Sequence, residues 1–267
     1  MKGVFMLFKR KRKARRFIRS LLFVALVLGY LALEHGPEFS LSSNPLPVVL
    51  SNDETPVENQ TEQDALETTT VSSDFIRPEY SGDAFVYVND NVPYLASEVA
   101  SNVNTKYQFD KYGRPIGATV IVSSDTVTDT ERDDISNIYP PGWDQEKYDE
   151  SIVDGGYVYN RCHLIAHSLG GPDIAENLIT GTRYFNIEGM WQFEETVLYY
   201  VRDTGNPVLY RVTPVYESNE LIPRGVLMEA YSMDDNGSGL SFCVYCHNVQ
   251  PYINIDYNTG ATSLQMN

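Results

Sequence analysis

Between Tyr157 and Glu194 the hydrophobic pattern changes its period, and that change restricts the local fold to a strand, a loop and a helix. Tyr157, Val158 and Tyr159 have the aromatic and β-branched character of a strand, which runs on into Asn160-Arg161-Cys162-His163. Gly170-Gly171-Pro172 breaks it. From about Thr182 the apolar residues Phe185, Met190, Phe193, Val197, Leu198 and Val201 recur at helical spacing, until Gly205-Asn206-Pro207 ends the run. A strand-borne imidazole is thereby expected to face a helix-borne carboxamide.

These residue types point to metal-assisted hydrolysis. A neutral imidazole with an ordinary pKa of about 6.5 can take a proton from water near neutral pH, which makes His163 the candidate general base. A hard cation such as Mg²⁺ keeps several of its waters and needs only one or two protein oxygens, so the Asn186 carbonyl is the candidate anchor. Arg161, beside the base, could hold a neighbouring phosphate through two parallel N–H donors. On a regular helix Asn186 and Glu194 are separated by roughly 12 Å of rise and about 80° of azimuth. Glu194 is therefore the carboxylate expected to orient metal-bound water, while Glu188 and Glu195 point away.

The run NRCH followed by NLITGTRYFN and an acidic helical turn resembles the DNA/RNA non-specific endonucleases of the ββα-metal type, and among them the bacterial membrane-attached DNA-entry nucleases. The likeness extends over roughly residues 80–260 and takes in SGDAFVYVNDNVPYL, YPPGWDQEKYD, VLYRVTPVY and NVQPYINIDYNTG. It implies an α+β fold with a central antiparallel sheet and a metal-bearing helix. It further implies His163 as general base, Asn186 as metal ligand, Asn177 as a supporting active-site amide and Glu194 as the helix carboxylate. Arg132 sits where the family carries a substrate-binding arginine. The wider family has Asp-Arg-Gly-His at the tetrad; here Asn160 replaces the aspartate and Cys162 the glycine. Asn160 is retained as a substrate contact without the charge that would tune the histidine. The resemblance implies Mg²⁺, with Mn²⁺ as an alternative, as cofactor and DNA as substrate, with RNA left open.

His167, four residues after His163, gives a His pair at the spacing of a zinc site on a helix, but the intervening LIA reads as strand end or loop. Cys243 and Cys246 have CXXC spacing, yet residues three apart on a regular strand face opposite sides. The chain has three cysteines, so at least one thiol is unpaired; a disulfide from Cys162 to one of the others is a further option.

The 267 residues are enough for one substantial core with appendages. Charge is split along the chain. Residues 1–40 carry nine Lys and Arg against two acidic residues, whereas the remainder carries eleven against 34. So acidic a domain cannot attract nucleic acid by overall charge, and binding must rest on the metal and a few local arginines.

The charge split also marks the domain organisation. KRKRKARR followed by FIRSLLFVALVLGYLAL has the basic-then-apolar order of an export signal. Residues 1–33 are expected to form a cytoplasmic basic segment and single-pass anchor, with the catalytic domain outside the cell; cleavage of the signal would instead release it. Residues 34–74, rich in Ser, Thr, Glu and Asn, read as a disordered acidic linker. The nuclease domain is expected over residues 75–267.

Within that domain, FVYVND before Asn91-Val92-Pro93 reads as a first hairpin. YQFDKYGRPIGATVIVSS reads as two strands at the sheet's centre, and residues 123–149 as a long loop bearing Arg132. PVLYRVTPVY, VLMEAYSMD and LSFCVYCHNV read as further antiparallel strands, with Glu229 on a solvated face. Two other function classes are compatible with these features. One is a non-catalytic surface adhesion or wall-binding module, which would bind without cleaving nucleic acid. The other is a secreted nuclease toxin, which an adjacent immunity gene would mark.

Overall fold

A computed structural model describes residues 75–98, 103 and 105–266. The expected anchor and linker, residues 1–74, lie outside the described residues. Among the described residues no helix is long and apolar enough to cross a membrane.

Five strands form one antiparallel sheet. They are β1 (Phe85–Tyr87), β2 (Ala118–Val122), β5 (Val208–Val215), β6 (Gly225–Ser232) and β7 (Ser241–His247), in the order β1-β7-β6-β5-β2. The long strands are largely apolar and buried along nearly their whole length, and register places Tyr210 beside Ala230 and Val212 beside Met228. These residues, with Phe242, Val244 and Cys246 of β7, share one sheet face. Over that face lies α1 (Trp191–Thr204), whose Phe193, Val197, Leu198 and Val201 enter the same core. Phe193 is the keystone ring: it meets Phe85 edge-on at 4.9 Å and Phe242 at 5.2 Å. Helical spacing and strand alternation therefore meet in one interface, which is the main apolar burial of the domain.

The opposite sheet face is covered as well, and this overturns one expectation. Glu229 is fully buried rather than solvated. Its register partner on β5 is Arg211, whose Nε donates to Glu229 Oε2 at 2.7 Å. The short helical turn Tyr94–Glu98 caps the pair, with Leu95 fully buried and its N–H donating to Glu229 Oε1 at 3.1 Å. A buried carboxylate is tolerated here because a guanidinium and a peptide N–H replace its water.

Two further expectations change. The segment 112–115 makes only an isolated bridge between Phe109 and Pro115, and the strand after it, β2, is at the sheet's edge; β6 is the centre. β1 forms no hairpin with the next segment of chain but pairs with β7. The chain after it is diverted by three successive left-handed residues, Asn89, Asp90 and Asn91 (φ +52°, +50° and +63°). Asn and Asp tolerate that region better than other side chains, and the Asn91 side chain accepts the Cys243 N–H at 3.0 Å.

A separate two-stranded ribbon, β3 (Tyr159–His163) with β4 (Leu178–Thr182), leads directly into the helix. This strand-strand-helix unit is the ββα arrangement. The three cysteines are free and buried. Cys162 and Cys246 belong to the core under α1, and Cys246 Sγ lies 3.5 Å from Met228 Sδ. A last ribbon, β8 (Ile253–Ile255) with β9 (Thr262–Leu264), closes a small second cluster around Tyr159 and Ile222.

Candidate active site

On β3 the side chains alternate. Cys162 faces the core opposite Ile179, and His163 faces the other side with Arg161. The close fit of the ribbon shows at Gly181, where a Cβ would stand 2.4 Å from Cys162 Sγ. The His163 side chain is one-tenth exposed, and its Nε2 lies 2.6 Å from Asp173 Oδ1. Burial pulls the His163 pKa below its ordinary value, and Asp173 opposes that through a hydrogen bond and its charge. Arg132 and His167 add to the lowering, so Arg132 lies within electrostatic reach of the imidazole. A largely neutral imidazole at neutral pH is the form a general base requires.

Asp173 was not singled out in the sequence, where it reads as one more acid in the turn GGPD. The only available signal was its place in a loop that returns to the strand end. Its carboxylate is nearly enclosed, and its Oδ2 accepts the Asp133 N–H at 2.8 Å. Burial alone would raise its pKa; the Asp133 N–H and His163 outweigh that and hold it below the usual carboxylate range. His167 Nδ1 is 3.2 Å from Asp173 Oδ2 but out of line for a hydrogen bond.

A cavity of about 780 Å³ has a lining that includes Arg132, Asn160, Arg161, Arg183 and Asn186; His163, Asn177 and Glu194 are not among its lining residues. Four of the seven residues named from sequence thus line one space. The acidic side chains Glu131, Asp133, Asp134 and Asp154 share that lining, so positive charge is confined to the arginines.

Two residues do something different from what the sequence suggested. Asn177 is fully buried and its carboxamide is committed to the backbone: Oδ1 accepts the Ile165 N–H at 3.0 Å, and Nδ2 donates to the carbonyls of Ile165 at 3.0 Å and Pro172 at 2.9 Å. It shapes the loop that carries Asp173 rather than meeting a substrate. Arg161 donates to the carbonyls of Ser136, at 2.6 Å, and Ile138, and its guanidinium lies over Trp143 at 4.3 Å. Most of its donor capacity therefore braces the long loop, although the residue still lines the cavity.

Asn186 lies in a π-helical turn, Phe185–Met190, that precedes α1, and the Trp191 N–H closes it on the Asn186 carbonyl. A π-turn advances about 82° per residue in place of about 100°, so four or five such steps remove about 80° of rotation. That cancels the offset expected of a regular helix and brings Asn186 and Glu194 to nearly one azimuth. Glu194 is half-buried, and burial with a smaller contribution from Glu195 pushes its pKa up to about 8. Its charge acts on Cys162, Tyr210 and Cys246, so the carboxyl points beneath the helix toward the sheet. No cation is paired with it among the described residues. Asn186 lines the cavity with a carboxamide, the kind of single protein oxygen donor that a hydrated divalent ion accepts, whereas Glu194 lies about two turns further along the helix, too far to be a direct co-ligand. Among the described residues no group of three or more His, Cys, Asp or Glu side chains could hold a metal ion.

The sequence profile of the DNA/RNA non-specific endonucleases matches residues 91–234. The chain belongs to this family. A deoxyribonuclease of Streptococcus dysgalactiae subsp. equisimilis is 36% identical over 111 residues, 39% of this chain and 32% of that protein, so the chain spans about a third of its relative's length. Two solved structures share the fold. NucA from Streptococcus agalactiae with magnesium bound is 27% identical (TM-score 0.59), covering 68% of this chain and 87% of its own. Sda1 nuclease with bound zinc is 26% identical (TM-score 0.52), covering 69% and 97%. Within this endonuclease family the β3–β4 ribbon and its following helix take the place of the ββα element.

Proposed function

We propose that this endonuclease-family chain hydrolyses phosphodiester bonds in DNA without strong sequence preference, RNA being the alternative substrate, using His163 as general base and a divalent ion, Mg²⁺ or Mn²⁺, at Asn186. The observation that carries the reading is the placement of His163 on the same strand face as Arg161, which lines the cavity together with Arg132 and Asn186. His163, kept neutral by burial, accepts the proton of an attacking water. Arg132, exposed on the loop ahead of the ribbon, offers its guanidinium to the phosphate, and Asn160 and Arg183 border the same space. Arg161 secures the loop and contributes its remaining donors. An ion held by the Asn186 carbonyl, with Glu194 orienting its water, would supply charge stabilisation to the phosphoryl oxygen and the leaving oxygen. The magnesium and zinc bound by the two solved relatives support a divalent ion here.

The basic-then-apolar segment of residues 9–33 supports display of the domain outside the cell, where it would process DNA at the surface. The deciding experiment is plasmid degradation by the purified chain with and without EDTA, beside His163→Ala. Removal of metal should abolish cleavage, and loss of the imidazole should reduce it to a small residual rate. Equal residual activity in wild type and variant, or indifference to the chelator, would remove the mechanism.

A further inference from the structure

Asp173 stands outside every role assigned so far, yet the loop that carries it is built with unusual care. Gly170 turns the chain at φ +89°, and Gly171 packs so closely that a Cβ would stand 1.8 Å from the Ile165 carbonyl oxygen. The Asn177 carboxamide then ties Ile165 to Pro172, one residue before Asp173. All this fixes one carboxylate, 5% exposed, against an imidazole.

We propose that Asp173 is the positioning residue of the base: it holds His163 in the Nε2–H tautomer, leaving Nδ1 to take the proton, and keeps the Arg132 loop in register with that nitrogen. The inference rests on the reading of His163 as general base. A neutral imidazole has one N–H, and a carboxylate oxygen 2.6 Å from Nε2 can only accept, so the proton must be on Nε2. Nδ1 has no hydrogen bond among the described contacts, which leaves its lone pair for water. The other oxygen, Oδ2, accepts the N–H of Asp133, the neighbour of Arg132. One carboxylate thus sets the base and the phosphate-binding loop relative to each other. The charged and titratable groups acting on His163 are Asp173, Arg132 and His167.

The test uses the full chain and plasmid cleavage with Mg²⁺. Asp173→Asn should lower kcat about 10- to 100-fold with little change in KM, because an amide can donate to Nε2 and favour the wrong tautomer. The ascending limb of the pH–rate profile should move to lower pH, since a contribution that raises the His163 pKa is lost. Asp173→Glu should recover part of the rate. Adding Asp173→Asn to His163→Ala should cost nothing more. An unchanged rate and limb would overturn the proposal, and so would an equal further loss in the His163→Ala background, which would mark a merely structural role. Independently of any variant's folding, ¹⁵N NMR of histidine-labelled wild type should show His163 as the Nε2–H tautomer; the Nδ1–H form would overturn it. Wild-type activity in His163→Ala would instead defeat the base assignment itself, a separate outcome.

Discussion

The Asn177 side chain closes on both polar groups of the Ile165 backbone, accepting its N–H and donating to its carbonyl, each at 3.0 Å. This pairing is the joint between the end of β3 and the loop that returns to it. Asn177→Ala leaves a buried N–H and two carbonyls unsatisfied, and should cost about 1–3 kcal/mol by urea denaturation. Activity should fall at temperatures where the variant remains folded, because His163 loses its fixed neighbour. Full stability together with lost activity would return Asn177 to direct contact with substrate.

The Arg211–Glu229 pair gives the second prediction. Removing one partner strands a charge in a buried site, so Glu229→Ala should destabilise the domain by about 3–5 kcal/mol. The double variant Arg211→Met, Glu229→Leu should recover much of that loss. Chemical unfolding of the three proteins measures both; a small effect of the single variant would mean that water reaches the pair.

Glu194 should make stability depend on pH. Its folded pKa of about 8 exceeds its ordinary 4.5, so folding favours the protonated form. The stabilisation is fully present below the ordinary pKa and is lost as pH rises through about 8. In EDTA, the Tm of wild type should therefore fall over that interval more than that of Glu194→Gln. Mg²⁺ should raise the wild-type Tm more at the alkaline end, where the carboxylate is charged. Parallel Tm curves for the two proteins would mean a solvated carboxyl.

Salt should weaken cleavage even though the domain is acidic. Under subsaturating DNA the logarithm of kcat/KM should fall with the logarithm of salt, and Arg132→Ala should reduce the slope by roughly 1. An unchanged slope would place Arg132 away from phosphate.

The helix and the three long strands after it were legible because each depends on the pattern within one segment. Glu229 was not: alternation puts it on the face away from the helix, but only the return of Leu95 from far upstream shows that this face is also covered. Asp173 was hidden for the same reason, since a carboxylate in a turn looks solvated until the chain closes over it. The site was legible as a set of residues more than as a set of roles. Arg161 was picked out by its place beside the base and Asn177 by resemblance, but their partners are backbone groups that no spacing reveals. The offset between Asn186 and Glu194 was mistaken because sequence does not announce a π-turn.

That widened turn holds one residue more than a regular helix needs. If the same residues wound as a regular helix instead, the sequence would still spell a good helix, but everything downstream would be turned by about 80° relative to Asn186. Phe193, Val197 and Val201 would then leave their seats against the sheet, or Asn186 would leave the cavity. The surplus residue lets a single rod be threaded into the core at one end while its mouth stays turned to the cavity.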